Sequence, residues 1–193
     1  MRIGVLAAQG AFAEHIATLH KLQVEAQPVR LPQELRGLDG LIVPGGESTS
    51  ISHLILAYNL MNEIRRLAKN GLPMFGTCAG MILLASRISD SDGIEPIGVM
   101  DLAVRRNAFG RQVDSFETDL QIPALGEKSF PGVFIRAPLI EQAGSEVEIL
   151  ARLTDGTIVA ARQGNLLAAA FHPELTDDPR FHQYFLNIVA ERR

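Results

Sequence analysis

The chain has 193 residues, enough for one domain around a single sizeable core. Its 47% hydrophobic and 21% charged residues are the balance of an ordinary soluble globular protein, not of a disordered or fibrous one. A formal net charge of −4 with no long run of one sign argues against a polyanion such as nucleic acid as partner.

Met1-Arg2 leads straight into an apolar run over residues 3–8 that ends at Gln9-Gly10. The run is too short for a signal peptide or a membrane span, so a cytoplasmic protein is expected. It predicts a strand, followed by a helix over 11–22 with Phe12, Ile16, Leu19 and Leu22 on one face. Strands follow at 25–30 and 40–43, the second running into Pro44-Gly45-Gly46. Residues 48–70 read as helical with a break near Asn59; Asn70-Gly71 caps the end and Pro73 prevents continuation. A short buried strand at 74–77 leads into a helix over 79–86. This alternation implies a parallel sheet with helices on both faces.

Beyond it the pattern changes. Strands are predicted at 102–105, 115–121 and 133–136. Residues 147–153 and 157–163 flank Asp155-Gly156, a hairpin signal. Gly164-Asn165 turns the chain into a strand at 166–171, and a helix over 179–191 closes it with Phe181, Phe185, Ile188 and Val189 facing inward. The expected architecture is α/β: a three-layer sandwich on a mostly parallel, mixed central sheet, forming one domain over residues 1–193.

Cys78 is the sole cysteine. It excludes an intramolecular disulfide and a multi-cysteine zinc site, leaving a buried apolar residue or a reactive thiol. Its setting is Phe75-Gly76-Thr77-Cys78-Ala79-Gly80, between a strand and a helix. Glycines two residues either side suit the sharp turn of a nucleophile elbow. A helix N-terminus favours thiolate, and the Ala79 N–H is placed to contact an oxyanion. Among five histidines, His15, His20, His53 and His182 fall within predicted helices and read as surface or satisfied core side chains. His172 instead follows a strand and opens His172-Pro173-Glu174. With Pro173 favouring extended backbone, Glu174 is expected on the same side as His172, able to fix its tautomer.

Pro44-Gly45-Gly46-Glu47-Ser48 lacks the lysine and spacing of a phosphate loop. We expect Gly46 to supply a second oxyanion contact opposite Ala79 and Glu47 to hold a substrate ammonium group. The plainer alternative is a turn with Ser48 as helix N-cap.

Together these segments resemble the class I, triad-type glutamine amidotransferases, and more narrowly the glutaminase subunits of pyridoxal 5′-phosphate synthases. The matching stretches are G-V-L-A-A-Q-G-A from Gly4 with Glu14-His15, P-G-G-E-S-T-S from Pro44 and F-G-T-C-A-G from Phe75. R-N-A-F-G-R-Q-V-D-S-F-E from Arg106, G-V-F-I-R-A-P from Gly132 and F-H-P-E-L-T-D-D from Phe171 complete the set. The resemblance implies a flavodoxin-like fold, with Cys78 as nucleophile and His172 and Glu174 as its relay. It implies glutamine binding by Gly46, Glu47, Ser48, Arg106, Ile135 and Arg136, and an oxyanion hole at Gly46 and Ala79. No metal or cofactor is implied. Glutamine would be hydrolysed through a glutamyl thioester, and the ammonia passed to a (β/α)8-barrel synthase partner whose docking, near Gln9-Gly10, completes the oxyanion hole. Arg105 stands where relatives often carry an acidic residue. The competing readings are a glutaminase serving another pathway, a noncatalytic binding subunit on the same fold, and a cysteine peptidase.

Overall fold

The computed structural model of the chain describes residues 1–91, 93–108 and 115–192. The central stretch from Arg106 to Glu117 therefore lies partly outside the described residues.

In chain order the strands are β1 (Arg2–Leu6), β2 (Glu25–Val29), β3 (Gly40–Val43), β4 (Met74–Thr77), β5 (Ala85–Ile88) and β6 (Met100–Arg105). They continue with β7 (Ser115–Leu120), β8 (Phe130–Ile135), β9 (Leu139–Ala143), β10 (Glu148–Arg152), β11 (Ile158–Gln163) and β12 (Leu166–Ala169). The main sheet runs β2-β1-β3-β4-β12-β11-β9-β6-β5, with β10 added beside β11; β7 and β8 form a separate antiparallel ribbon. Strands β2, β1, β3, β4 and β12 pair in parallel. Strand β11 is antiparallel to β12, β9 and β10, and β9 is antiparallel to β6. The sheet is mixed, as expected, but parallel pairing is not confined to the first strands: β12, the last, pairs parallel with β4, and β5 with β6.

Physical cause is plainest at the centre. β3 and β4 are buried at every residue, as continuous apolar runs between two helical layers must be. The helices are α1 (Phe12–Lys21), α2 (Ser48–Ala57), α3 (Met61–Lys69), α4 (Ala79–Leu84) and α5 (Arg180–Glu191). Successive strand residues point to opposite faces. On one face of β4, Phe75 packs against His15 of α1 and Phe181, His182 and Phe185 of α5. On the other, Gly76 lies under α4: a Cβ there would come within 2.6 Å of the Gly80 carbonyl. The sheet is thus covered on both sides.

Two strands depart from expectation. The predicted helix over 79–86 stops at Leu84, and Ala85–Ile88 becomes β5, paired parallel with β6. Strand β9 was not anticipated, because Leu139–Ala143 is short and carries Glu141 and Gln142; its pairing with β6 and β11 bridges the sheet. Arg105, at the end of β6, forms an ion pair with Glu141 of β9. The break in the 48–70 helix falls where expected, at Asn59, which takes φ 57° between α2 and α3. The Asp155-Gly156 hairpin forms, with the Thr157 N–H donating to Asp155 Oδ1 at 2.9 Å.

Candidate active site

Strand β4 ends at Thr77 and α4 begins at Ala79, so Cys78 must reverse the chain within one residue. It does so at φ 48° and ψ −105°, a strained conformation for a residue with a Cβ. Its N–H donates to the Ala169 carbonyl at 2.8 Å, pinning the turn to the end of β12. The flanking glycines are needed for close approach: a Cβ on Gly80 would lie 1.8 Å from the Val43 carbonyl oxygen. The Ala79 N–H, in the first helical turn, has no carbonyl partner within α4. The Cys78 sulfur lies 3.8 Å from the Ile135 carbonyl.

His172 arrives from the neighbouring strand end. Beyond β12 the chain stays extended long enough for the His172 N–H to bond the Val133 carbonyl of β8 at 2.8 Å. Glu174 does reach the imidazole, with Oε1 2.7 Å from His172 Nδ1. It does so from a 3-10 turn over Pro173–Leu175 rather than from the extended segment expected. Gly45 locates the sulfur side: a Cβ there would sit 2.4 Å from His172 Cε1 and 3.3 Å from Cys78 Cβ. Both side chains therefore flank one point under the Gly45 backbone. Burial drives His172 toward the neutral form. Hydrogen bonds to the Cys78 sulfur and the Glu174 carboxylate, and the negative charge of both, outweigh it and raise the pKa to about 10.

The glycine loop is tied down on two sides. The Gly45 N–H donates to Thr77 Oγ1 at 3.1 Å, and the Glu47 N–H donates to Gln9 Oε1 at 2.8 Å. Glu47, not Ser48, is the N-cap of α2: its carboxylate accepts from the Thr49 and Ser50 N–H groups at 3.0 and 2.7 Å. A bond from the Ser50 hydroxyl and these backbone donors hold its pKa down at about 2. Its other near charge is Arg106, whose Nη2 lies 3.7 Å from Glu47 Oε1. Arg106 Nη1 also donates to the Asp90 carbonyl.

A cavity of about 320 Å³ opens over this group. Gly46, Glu47, Ser48, Cys78, Ala79, Arg106, Ile135, Arg136 and His172 all border it, while Glu174 sits behind His172. Gln9, Ile82 and Asn107 border it too. Ile82, one helical turn beyond Cys78, was legible from the spacing of α4; Asn107 carries no signal of its own beside Arg106. Arg136 takes φ 42° and is exposed.

Residues 5–191 match the profile of the SNO glutamine amidotransferase family. The chain belongs to that family. It is 56% identical over 192 residues to the pyridoxal 5′-phosphate synthase subunit PdxT of Dehalococcoides mccartyi, covering 99% of this chain and 98% of that one. The PdxT subunit of Moorella thermoacetica is 58% identical over 191 residues, covering 98% of this chain and 100% of that one. A solved glutamine amidotransferase, 50% identical, superposes with a TM-score of 0.92 over 97% of this chain and 98% of its own. The elbow, the glycine loop and the His-Pro-Glu turn of this amidotransferase family member all lie within the matched span.

Two histidines carry more than their helical positions suggested. His20 and His53 are exposed, as a surface reading predicts. His15 and His182 are fully buried, 2.9 Å apart between Nδ1 and Nε2. His15 Nε2 lies 3.1 Å from Thr77 Oγ1 and 3.4 Å from Glu174 Oε2. Burial, with the neighbouring His182 and His172 adding to it, holds the His15 pKa well below its ordinary value. Burial alone lowers that of His182 to about 4.

Proposed function

We propose that the chain is the glutaminase subunit of a pyridoxal 5′-phosphate synthase, acting as a single glutaminase domain over residues 1–193 with Cys78, His172 and Glu174 as its triad. The observation that carries the reading is the convergence of the Cys78 and His172 side chains beneath Gly45, with Glu174 on the far nitrogen of the imidazole. Relatives named as pyridoxal 5′-phosphate synthase subunits, alike over nearly the whole chain, support the pathway.

The chemistry follows from the charges. The Cys78 thiolate adds to the side-chain carboxamide carbon of glutamine, and the carbonyl oxygen takes the negative charge against the Ala79 N–H and the Gly46 loop. The carbon–nitrogen bond breaks as the His172 imidazolium gives its proton to the departing nitrogen, releasing ammonia and leaving a γ-glutamyl thioester. His172, now neutral, takes a proton from water, whose oxygen attacks the thioester carbon. Glutamate leaves and the thiolate–imidazolium pair is restored. Glu174 holds His172 in the Nδ1–H tautomer throughout. Arg106 and Arg136 supply counter-charge for the substrate carboxylate, with Ile135 and Ser48 lining the same pocket. Glu47, already fixed by its cap bonds, presents one oxygen to the substrate ammonium. Ammonia released in bulk water would be protonated, so it passes within the complex to a barrel-shaped synthase partner in the cytoplasm. Among the described residues no helix is long and apolar enough to cross a membrane.

The deciding experiment is a glutaminase assay of wild type and Cys78→Ala, each with and without the cognate synthase subunit. Wild type should release glutamate in the complex, while Cys78→Ala should be inactive yet still bind the partner. Retained activity in the variant would end the proposal.

A further inference from the structure

Glu174 has two oxygens, and the triad uses one. Oε1 receives the His172 Nδ1–H at 2.7 Å. Oε2 is buried, has no hydrogen bond of good geometry, and has His15 Nε2 as a neighbour at 3.4 Å. A buried carboxylate with one oxygen uncompensated is costly and free to rotate until it finds a donor. Rotation would take the carboxylate off His172.

The donor directions behind it can be worked out. The Gly45 N–H must donate, so Thr77 Oγ1 accepts it. His15 and His182 share one hydrogen bond, Nδ1 to Nε2, at 2.9 Å. If His182 carried its proton on Nδ1, that N–H would be orphaned in the core, since Nδ1 has no partner. His15 would then turn a bare Nε2 toward a carboxylate. The opposite arrangement avoids both faults. His182 Nε2–H donates to His15 Nδ1, and His15 carries its proton on Nε2, shared between Thr77 Oγ1 and Glu174 Oε2. Both rings sit in the first turns of their helices, α1 and α5, where the positive end of the dipole disfavours imidazolium. Their lowered pKa values agree with two neutral rings. Phe75 packs edge-on to each ring, at 6.1 Å and 6.0 Å between centroids, and holds their planes.

We propose that His15 is a positioning residue for the triad: set as the Nε2–H tautomer by His182, it fixes the outer oxygen of Glu174 so that the inner oxygen stays on His172. The proposal rests on the glutaminase reading above. It also links the Gly45 loop to the triad, because Thr77 joins the same donor.

The test measures glutaminase kinetics of the full chain in complex with its cognate synthase subunit. His15→Leu removes the donor at similar volume and should lower kcat by about 10- to 100-fold, with KM within about twofold. His15→Gln puts an amide N–H₂ near the position of the imidazole Nε2 and should recover most of that loss. His15→Asn is one methylene shorter, falls short of Oε2, and should resemble Leu. A role in packing alone predicts that Gln and Asn behave alike, and that result overturns the proposal, as does a His15→Leu enzyme with wild-type kcat. Should His15→Leu show no cooperative thermal transition, the Gln–Asn pair decides alone. Wild type inactive in the complex, or Cys78→Ala active, would defeat the glutaminase reading itself; an active wild type indifferent to position 15 would defeat only this inference.

Discussion

The parallel strands of the main sheet and the separate β7–β8 ribbon are built differently, and they border the cavity with different residues. Strands β1, β3, β4 and β12 are buried almost throughout, and their carboxyl ends carry the glycine loop, Cys78 and His172. In the β7–β8 ribbon, β7 alternates exposed and half-buried residues and β8 alternates buried and half-buried ones, and the ribbon offers only its end, Ile135-Arg136, to the same cavity. Groups that must meet within fractions of an ångström sit on elements fixed from both faces. Groups proposed to meet a substrate's outer charges sit on an exposed rim. The carboxyl ends of parallel strands are the general place for the first kind. The comparison predicts that damage on the buried side appears in kcat, and damage on the rim appears in KM.

The largest effect tests the buried side directly. Cys78→Ala should reduce glutaminase turnover by about 10⁴-fold or more, since Cys78 is the sole cysteine of the chain. Glu174→Gln should follow, at about 10²- to 10⁴-fold in kcat, because an amide facing His172 Nδ1 favours the wrong tautomer. Steady-state kinetics of the assembled complex measure both. A Glu174→Gln enzyme weakened mainly in KM would break the division between the parallel strands and the ribbon. Gly45→Ala belongs here as well, although it touches no substrate group. Its methyl would overlap His172 Cε1 at 2.4 Å and push the ring from the sulfur.

On the rim the expected change is smaller and of the other kind. Arg136→Ala removes an exposed cation from the cavity edge and should raise KM for glutamine by about 10-fold at most, with kcat nearly unchanged. Arg106→Ala should cost more, because the side chain is better buried and its loss also removes a counter-charge 3.7 Å from Glu47. Glutamate analogues of graded charge, used as competitive inhibitors, would sharpen the assignment. If Arg136→Ala changed kcat and left KM alone, the ribbon would be part of the chemistry and not its edge.

How much of this was legible follows the same line. The elbow could be read because a lone cysteine between Gly76 and Gly80 admits few structures, and the steric reason is visible in the fold: a Cβ on Gly80 would collide with the Val43 carbonyl. His172-Pro173-Glu174 could be read for proximity, although a 3-10 turn rather than an extended strand brings the carboxylate round. Glu47 as a helix cap was missed because the preference for serine at N-caps pointed to Ser48 one residue on. β5 was missed because Ala85-Ser86 continues a good helical pattern, and only pairing with distant β6 ends it. The His15–His182 pair was invisible for a stronger reason. The two lie 167 residues apart, and helical patterning left each as a surface or core side chain without saying that they face each other.

That buried pair also has a distinct effect on stability. His182 has its folded pKa lowered from 6.5 to about 4. Between those values the unfolded chain binds a proton that the folded chain refuses, so stability rises with pH across the window and falls as pH drops below 6.5. At pH 5 the loss from this one group is about 2 kcal/mol relative to pH 7. His15, lowered as well, adds to it with the same sign. His172 works in the opposite direction. Its pKa is raised, so its stabilisation is fully present below 6.5 and is lost as pH climbs from there through about 10; at pH 7 that loss has begun but is smaller than the gain from His182. Glu47, held at about 2, loses its contribution only below 4.5. Comparing urea unfolding at pH 7 and pH 5 in wild type and His182→Phe therefore isolates this histidine. The variant should show a flatter dependence, keeping the shares due to His15 and His172. A wild type equally stable at both values would mean that the rings are not held neutral, and the tautomer chain behind Glu174 would lose its basis.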